Sequence, residues 1–425
     1  MEKHVIKQIL LEQSEEIRLI FDERIVSRDV MREARGIFKT DLIKAVMGIR
    51  RCGKSTLCHQ LLKDVTYGYI NFDDERLIGV TSADLNDFLE TLEEIHPGVR
   101  HIFLDEIQNV DGWELFVNRL KRKRYDITVT GSNSRLLSKE LATHLTGRHL
   151  SIELFPFSFR EFLRFKDIVV REEDFFVTAQ KAKIKRHLEE YIEGGGMPEL
   201  FDIEVKKRYL KELFDKIITR DIIFRHNIKY VKDLKELALY AASCFSSRFT
   251  YHKIKDIFGI KSVHTVKNYL NYLEEAYLVF QLNPFSFKVK QQINQPRKLY
   301  CIDTGFLNAL APKITVDRGK LIENIVFVEL RRRAKEIYFF SEPDYEVDFV
   351  IKDGMKITQL IQVCFSVSDS DTKKREIRAL VRAAEKLCCN DLLIITWDTD
   401  GRETAHSREV TFVPLWHWLL KGEQA

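Results

Sequence analysis

The run Gly48-Ile49-Arg50-Arg51-Cys52-Gly53-Lys54-Ser55 has the spacing G-x-x-x-x-G-K-[ST], a pattern whose chemistry is the holding of phosphates. Glycines let a backbone pass close to an anion where a Cβ would obstruct it, so that N–H groups can point at phosphate oxygens. Lys54 can reach the β- and γ-phosphates, and the Ser55 hydroxyl suits a Mg²⁺ shell. The candidate nucleotide contacts are therefore Gly48, Arg50, Arg51, Cys52, Gly53, Lys54, Ser55 and Thr56. A second constellation ends the apolar run His101-Ile102-Phe103-Leu104. There Asp105 offers a carboxylate to the metal, and Glu106 offers one to polarise the attacking water of an ATP hydrolysis. After a third apolar run, residues 126–130, comes Gly131-Ser132-Asn133-Ser134. Ser132 or Asn133 can sense a γ-phosphate from the neighbouring strand end, although a plain polar turn has the same composition.

These groups need particular elements behind them. Residues 42–47 are short, apolar and β-branched at intervals, while residues 56–62 repeat their apolar side chains at helical spacing. The loop thus lies at a strand-to-helix turn, where the helix N-terminus adds its positive dipole end. Strand and helix patterns alternate up to about residue 200, which predicts an α/β domain with a parallel sheet covered by helices on both faces. From Tyr209 to about Leu282 the pattern is helical and amphipathic. Residues 251–260 and 262–270 read as helix, Gly259-bearing turn and helix, with residues 278–282 as a wing strand,. The second of these helices presents Ser262, His264, Thr265, Lys267 and Asn268, which suit phosphates and base edges; the same module can also pack as a plain protein lid. The expected domains are residues 1–205, 206–297 and 298–425.

The run from Gly48 to Leu57, with residues 69–77, Leu104-Asp105-Glu106-Ile107-Gln108 and Thr130-Gly131-Ser132, resembles the large prokaryotic family of AAA-type P-loop ATPases that carry an uncharacterised C-terminal domain. Leu145-Thr146-Gly147-Arg148, residues 154–162, Gly194-Gly195-Gly196-Met197-Pro198 and Thr219-Arg220-Asp221-Ile222 extend the resemblance over nearly the whole chain. It implies that Arg148 serves as a finger on a neighbouring subunit's γ-phosphate in a homo-oligomer, and that Gly196 and Pro198 contact adenine, unless they only stop a helix. Arg50 and Arg51 become braces of the loop or surface contacts, and Arg220 a sensor or an ion-pair partner. The C-terminal block resembles the PD-(D/E)xK restriction-endonuclease-like fold, with Asp348 at one strand end. Gln362 stands in place of the second acid of that pattern and Cys364 in place of its lysine, so a nuclease-like domain without cleavage is expected. Glu323 or Glu329 could add a carboxylate.

Composition fits such a chain. Its 425 residues exceed what one core usually spans,. A net charge of +4 is too small to establish DNA as a partner, although DNA is the partner these motifs favour. Seven cysteines without C-x-x-C spacing point to reduced thiols and a cytoplasmic setting,. The N-terminus lacks an apolar export core and no run reaches membrane-spanning length, so no membrane role is expected.

Overall fold

A computed structural model describes residues 1–22, 24–133, 147–310 and 317–421. Ser134, Leu145 and Thr146 of the motifs above lie outside the described residues. The chain forms two units: Met1–Pro156 with Glu275–Tyr277, and Phe157–Glu274 with Leu278–Ala425.

In the first unit, strands β1 (Ile43–Met47), β2 (Tyr67–Asn71), β3 (His101–Asp105), β4 (Asp126–Gly131) and β5 (His149–Glu153) form a sheet in the order β2-β3-β4-β1-β5. Every pairing is parallel, as the alternation of strand and helix requires. β1 is buried at every position, the near-continuous apolar run expected of a strand covered on both faces. Because β4 lies between β1 and β3, three strand ends share one carboxyl edge: Met47 is level with Gly131, and Asn71 with Asp105.

The second unit begins with helices. Ser158 caps Phe159–Phe165 in a reciprocal box: its Oγ accepts from the Glu161 N–H at 3.1 Å and its own N–H donates to Glu161 at 2.9 Å,. Two helices occupy the expected stretch, Tyr251–Phe258 and Val263–Glu275, with Thr250 as N-cap of the first and Gly259 supplying a left-handed turn at φ +62° after it. These helices adjoin a three-stranded antiparallel sheet of β6 (Ser247–Phe249), β7 (Val279–Leu282) and β8 (Arg297–Cys301), ordered β6-β8-β7. A second sheet contains β9 (Glu336–Ser341), β10 (Glu346–Asp353), β11 (Lys356–Cys364), β12 (Leu392–Thr396), β13 (Gly401–Ala405) and β14 (Arg408–Pro414), ordered β13-β14-β12-β11-β10-β9. One core fills the space between it and the amphipathic helix Ser370–Leu387, where Val350, Leu360, Leu380, Ala383 and Ile394 are wholly buried.

The expected boundaries do not coincide with these units. The first break falls after Pro156 rather than at 205, because helices Phe159–Phe165 and Thr178–Gly194 pack on helices Leu415–Leu420 and Thr304–Leu310 of the C-terminal part. The boundary at 297 runs through β8, the central strand of the three-stranded sheet.

Candidate active site

The phosphate loop connects β1 to the helix Lys54–Leu62. Its glycines are sterically required. A Cβ on Gly48 would sit 2.1 Å from the Leu154 carbonyl oxygen, and Gly53, at φ +94°, holds the left-handed conformation that starts the helix,. Arg28 braces the loop from outside, donating to the Cys52 carbonyl at 2.8 Å.

Lys54 is buried, and its ammonium donates to the Gly48 and Ile49 carbonyls at 3.2 and 3.3 Å. It also lies 3.1 Å from Glu106 Oε1. Burial works to lower its pKa, but the Glu106 carboxylate outweighs that and the group ends above its usual value. Glu106 shows the complementary effect: burial favours its neutral form, while Lys54 first and Arg50 next pull its carboxyl down to about 2.

Asp105 and Glu106 follow one another at the end of β3 but face different partners. Asp105 accepts from Tyr69 Oη at 3.0 Å and from the Thr130 hydroxyl. Burial and the adjacent Glu106 push its carboxyl up against the pull of Ser55 and Thr130. Glu106 sits at φ +51°, a strained conformation for a residue with a side chain,. Its N–H donates to Thr130 Oγ1 at 2.9 Å, and its carboxylate accepts from the Ser132 N–H at 3.2 Å and from Gln108. β4 thus supplies the hydroxyl and the amide that fix both acids.

The structure brings Lys54, Asp105, Glu106 and Ser132 together in one hydrogen-bonded group, Asp105 joining through Thr130, with Ser55 near enough to lower the Asp105 pKa and Asn133 buried directly after Ser132. Arg50 is buried and donates to Asp73 at 2.8 Å, whereas Arg51 is exposed at φ +68°. Arg148 is exposed at the opposite edge of the sheet: its carbonyl accepts from the Ile43 N–H at the start of β1, about 13 Å along the strand from the loop. It is therefore placed away from the phosphate loop of its own chain. Gly196 and Pro198 belong to the second unit. The Gly196 N–H donates to Asp303 at 2.6 Å and its carbonyl accepts from Phe157, while a Cβ on Gly195 would fall 1.9 Å from Asp303, which is packing sufficient to require glycine. Arg220 is exposed on the π-helix Ile217–Phe224. Thr130, Gln108, Tyr69 and Asp73 were not anticipated from sequence. Gln108 had a signal, since it stands two residues after Glu106 in a motif already singled out.

A group of phosphates and a divalent cation fit these residues. Gly48 keeps the loop backbone against the Leu154 carbonyl where a Cβ would strike it at 2.1 Å, and the Gln108 Oε1, buried in the site, has no protein partner among the described residues. Such a loop, an acid pair at the next-but-one strand and a parallel sheet define a P-loop ATPase domain of the AAA type, and residues 40–163 match the family described as AAA domain. Residues 185–317 match a domain of unknown function, DUF8612. The chain is 37% identical to "Uncharacterized protein MJ1544" of Methanocaldococcus jannaschii, over 97% of this chain and 96% of that one. It is 31% identical to an "Uncharacterized protein" of Haemophilus influenzae, over 78% of this chain and 84% of that one. The chain belongs to the family of these two proteins. Among solved structures, the "walker-type atpase paby2304 of pyrococcus abyssi" is similar over 68% of this chain and 99% of its own, at 14% identity and a TM-score of 0.44. No helix among the described residues is long and apolar enough to cross a membrane.

Proposed function

We propose that the chain is a Mg²⁺-dependent ATPase that couples turnover to DNA or to a DNA-associated partner. The observation that carries the reading is the contact between Lys54 and Glu106 at 3.1 Å, because it joins the phosphate-binding cation to the water-orienting carboxylate. When bound, the divalent cation neutralises charge on the β- and γ-phosphate oxygens; Ser55 and Asp105 would hold it. Lys54 leaves the loop carbonyls and Glu106 for the phosphates. Glu106 then loses the neighbour that most depresses its pKa and becomes a better acceptor for a water proton,. Thr130 and the Ser132 N–H keep it in place while this happens. Ser132 and Asn133 are the γ-phosphate sensors of this reading.

Placement of Arg148 away from its own phosphate loop supports action across a subunit boundary. Mixing inactive Arg148→Ala protein with inactive Lys54→Ala protein is expected to recover part of the ATPase activity, since one subunit's arginine would complete the other's site. Absence of recovery, together with a monomeric mass in ATP, counts against the finger.

DNA is favoured by the winged-helix character of helices Tyr251–Phe258 and Val263–Glu275 with the β6-β8-β7 sheet. His264 and Lys267 are exposed on the second helix, and Ser262, Lys253 and Lys261 are exposed beside it. A second reading, an ATP-gated switch that binds only protein, is favoured by Phe287, Val289 and Ile293, which are 72%, 70% and 59% exposed between β7 and β8. Titration of a labelled duplex at increasing salt, with ATPase rates measured in parallel, separates the two. Affinity that falls linearly on logarithmic axes and a rate raised by DNA are expected for the first reading. Full ATPase activity without salt-dependent binding would leave the protein switch. The restriction-endonuclease-like reading of the C-terminal part rests on Asp348, with Gln362 and Cys364 in place of the second acid and the lysine; Asp348 and Glu323 meet at one ammonium.

A further inference from the structure

The carboxylates of the C-terminal part converge on a lysine that the sequence pattern did not assign. Lys298, on β8, is 2% exposed. Its ammonium lies 2.9 Å from Glu323 Oε1, 2.9 Å from Asp348 Oδ1 and 2.8 Å from Glu346 Oε1, so the three acids share one cation. Their other valences are largely occupied as well. Glu323 Oε1 accepts from the Tyr300 hydroxyl at 2.7 Å, Asp348 Oδ2 accepts from the Val363 N–H at 3.0 Å, and Glu346 also pairs with Arg248.

A divalent cation does not fit this arrangement. Magnesium takes ligand oxygens at about 2.1 Å in a near-octahedral shell, and the centre of these three oxygens is held by Nζ. Gln362, in the position of a second acid, does not supply a replacement: its carbonyl accepts from the Asp348 N–H at 3.2 Å and its amide donates to Glu376 at 2.7 Å. The Cys364 thiol donates to the Ser366 carbonyl at 3.1 Å. Among the described residues no group of three His, Cys, Asp or Glu side chains is arranged to hold a metal. Burial pushes the Glu323 carboxyl above its usual range against the opposing pull of Lys298.

We propose that Lys298 is an internal counter-ion standing in the cation position of the Glu323, Glu346 and Asp348 cluster, so that this part of the protein is built without a divalent metal and gains a metal site only when the ammonium is removed. Two buried carboxylates, Glu323 and Asp348, beside a half-buried third, Glu346, need a compensating charge,. A lysine on β8 supplies it permanently and at the same time fastens the three-stranded sheet to β10 and to the helix Arg318–Arg332, which carries Glu323.

The nucleotide-free full chain is titrated with MnCl₂ by calorimetry, unaltered and as Lys298→Met, each with and without Asp348→Asn. Methionine keeps the unbranched shape and removes the charge. One additional Mn²⁺ equivalent is expected in Lys298→Met, lost again when Asp348→Asn is added, with no Asp348-dependent binding by the unaltered chain. Should Lys298→Met fail to fold, Lys298→Met with Glu346→Gln removes a carboxylate together with the ammonium and takes its place. If neither folds, the unaltered chain decides: absence of Asp348-dependent binding supports the proposal. Asp348-dependent Mn²⁺ binding or DNA nicking by the unaltered chain overturns it, and so does a folded variant without the additional equivalent.

Discussion

Lys54→Ala lowers ATP turnover on the order of 10²- to 10³-fold, the loss expected when one positioned charge is taken from the developing negative charge of a transition state. The ammonium also has a task before nucleotide arrives. It is the partner of a buried Glu106 at 3.1 Å, and breaking a buried pair from one side costs about 3–5 kcal/mol when the remaining charge has no other support. Arg50 also depresses the Glu106 pKa, so the cost falls at the low end and the variant folds. The double variant Lys54→Ala with Glu106→Gln removes both charges and is expected to recover melting temperature without recovering turnover. Steady-state ATPase assays and thermal melts of the three proteins test this. Parental turnover in a folded Lys54→Ala protein would end the ATPase reading of the loop.

Glu106→Gln retains Mg²⁺-ATP and hydrolyses it about 10²- to 10⁴-fold more slowly, the range for loss of a positioned general base. Asp105→Asn is different in kind, because Asp105 accepts from Tyr69 and Thr130 while Glu106 is the acid paired with Lys54; its expected signature is a raised Mg²⁺ requirement. Glu106→Gln also alters the acid limb of stability. A carboxyl held near 2 in the folded chain, against an ordinary 4.5, contributes stability that is complete above about pH 4.5 and is lost as pH falls toward 2, corresponding to about 3 kcal/mol. The glutamine variant lacks that contribution, so its stability should fall less steeply over that window in denaturant titrations. A parental hydrolysis rate in Glu106→Gln would move the water-orienting role to another residue.

Much of the candidate site was legible because short-range chemistry fixes it. Gly48, Gly53, Lys54 and Ser55 are adjacent in sequence and in space, and an apolar strand delivers Asp105 and Glu106 to the same edge. Thr130 was hidden because its role depends on β4 lying between β1 and β3, a strand order that periodicity does not reveal. The Gly194–Gly196 run was visible as a signal, yet its immediate partners, Asp303 and Phe157, are set by tertiary packing. Lys298 was the least legible of all: its nearest acid in sequence, Glu323, is 25 residues away, and a lysine on a strand normally reads as a solvated face.

The central position of β8 also decides how this chain can be divided. A fragment ending at residue 297 would keep β6 and β7 but lose the strand that both of them bond to. The two remaining strands would then carry open rows of N–H and C=O groups, the kind of surface along which chains add to one another and aggregate. The chain between Leu282 and Arg297 would lose its second anchor, leaving Phe287, Val289 and Ile293 on a free tail. Separation of the helical part from the C-terminal sheet is therefore a question of topology as much as of linker length: a cut at 297 removes the central strand of the three-stranded sheet, whereas the six-stranded sheet, β9 to β14, lies wholly downstream of it.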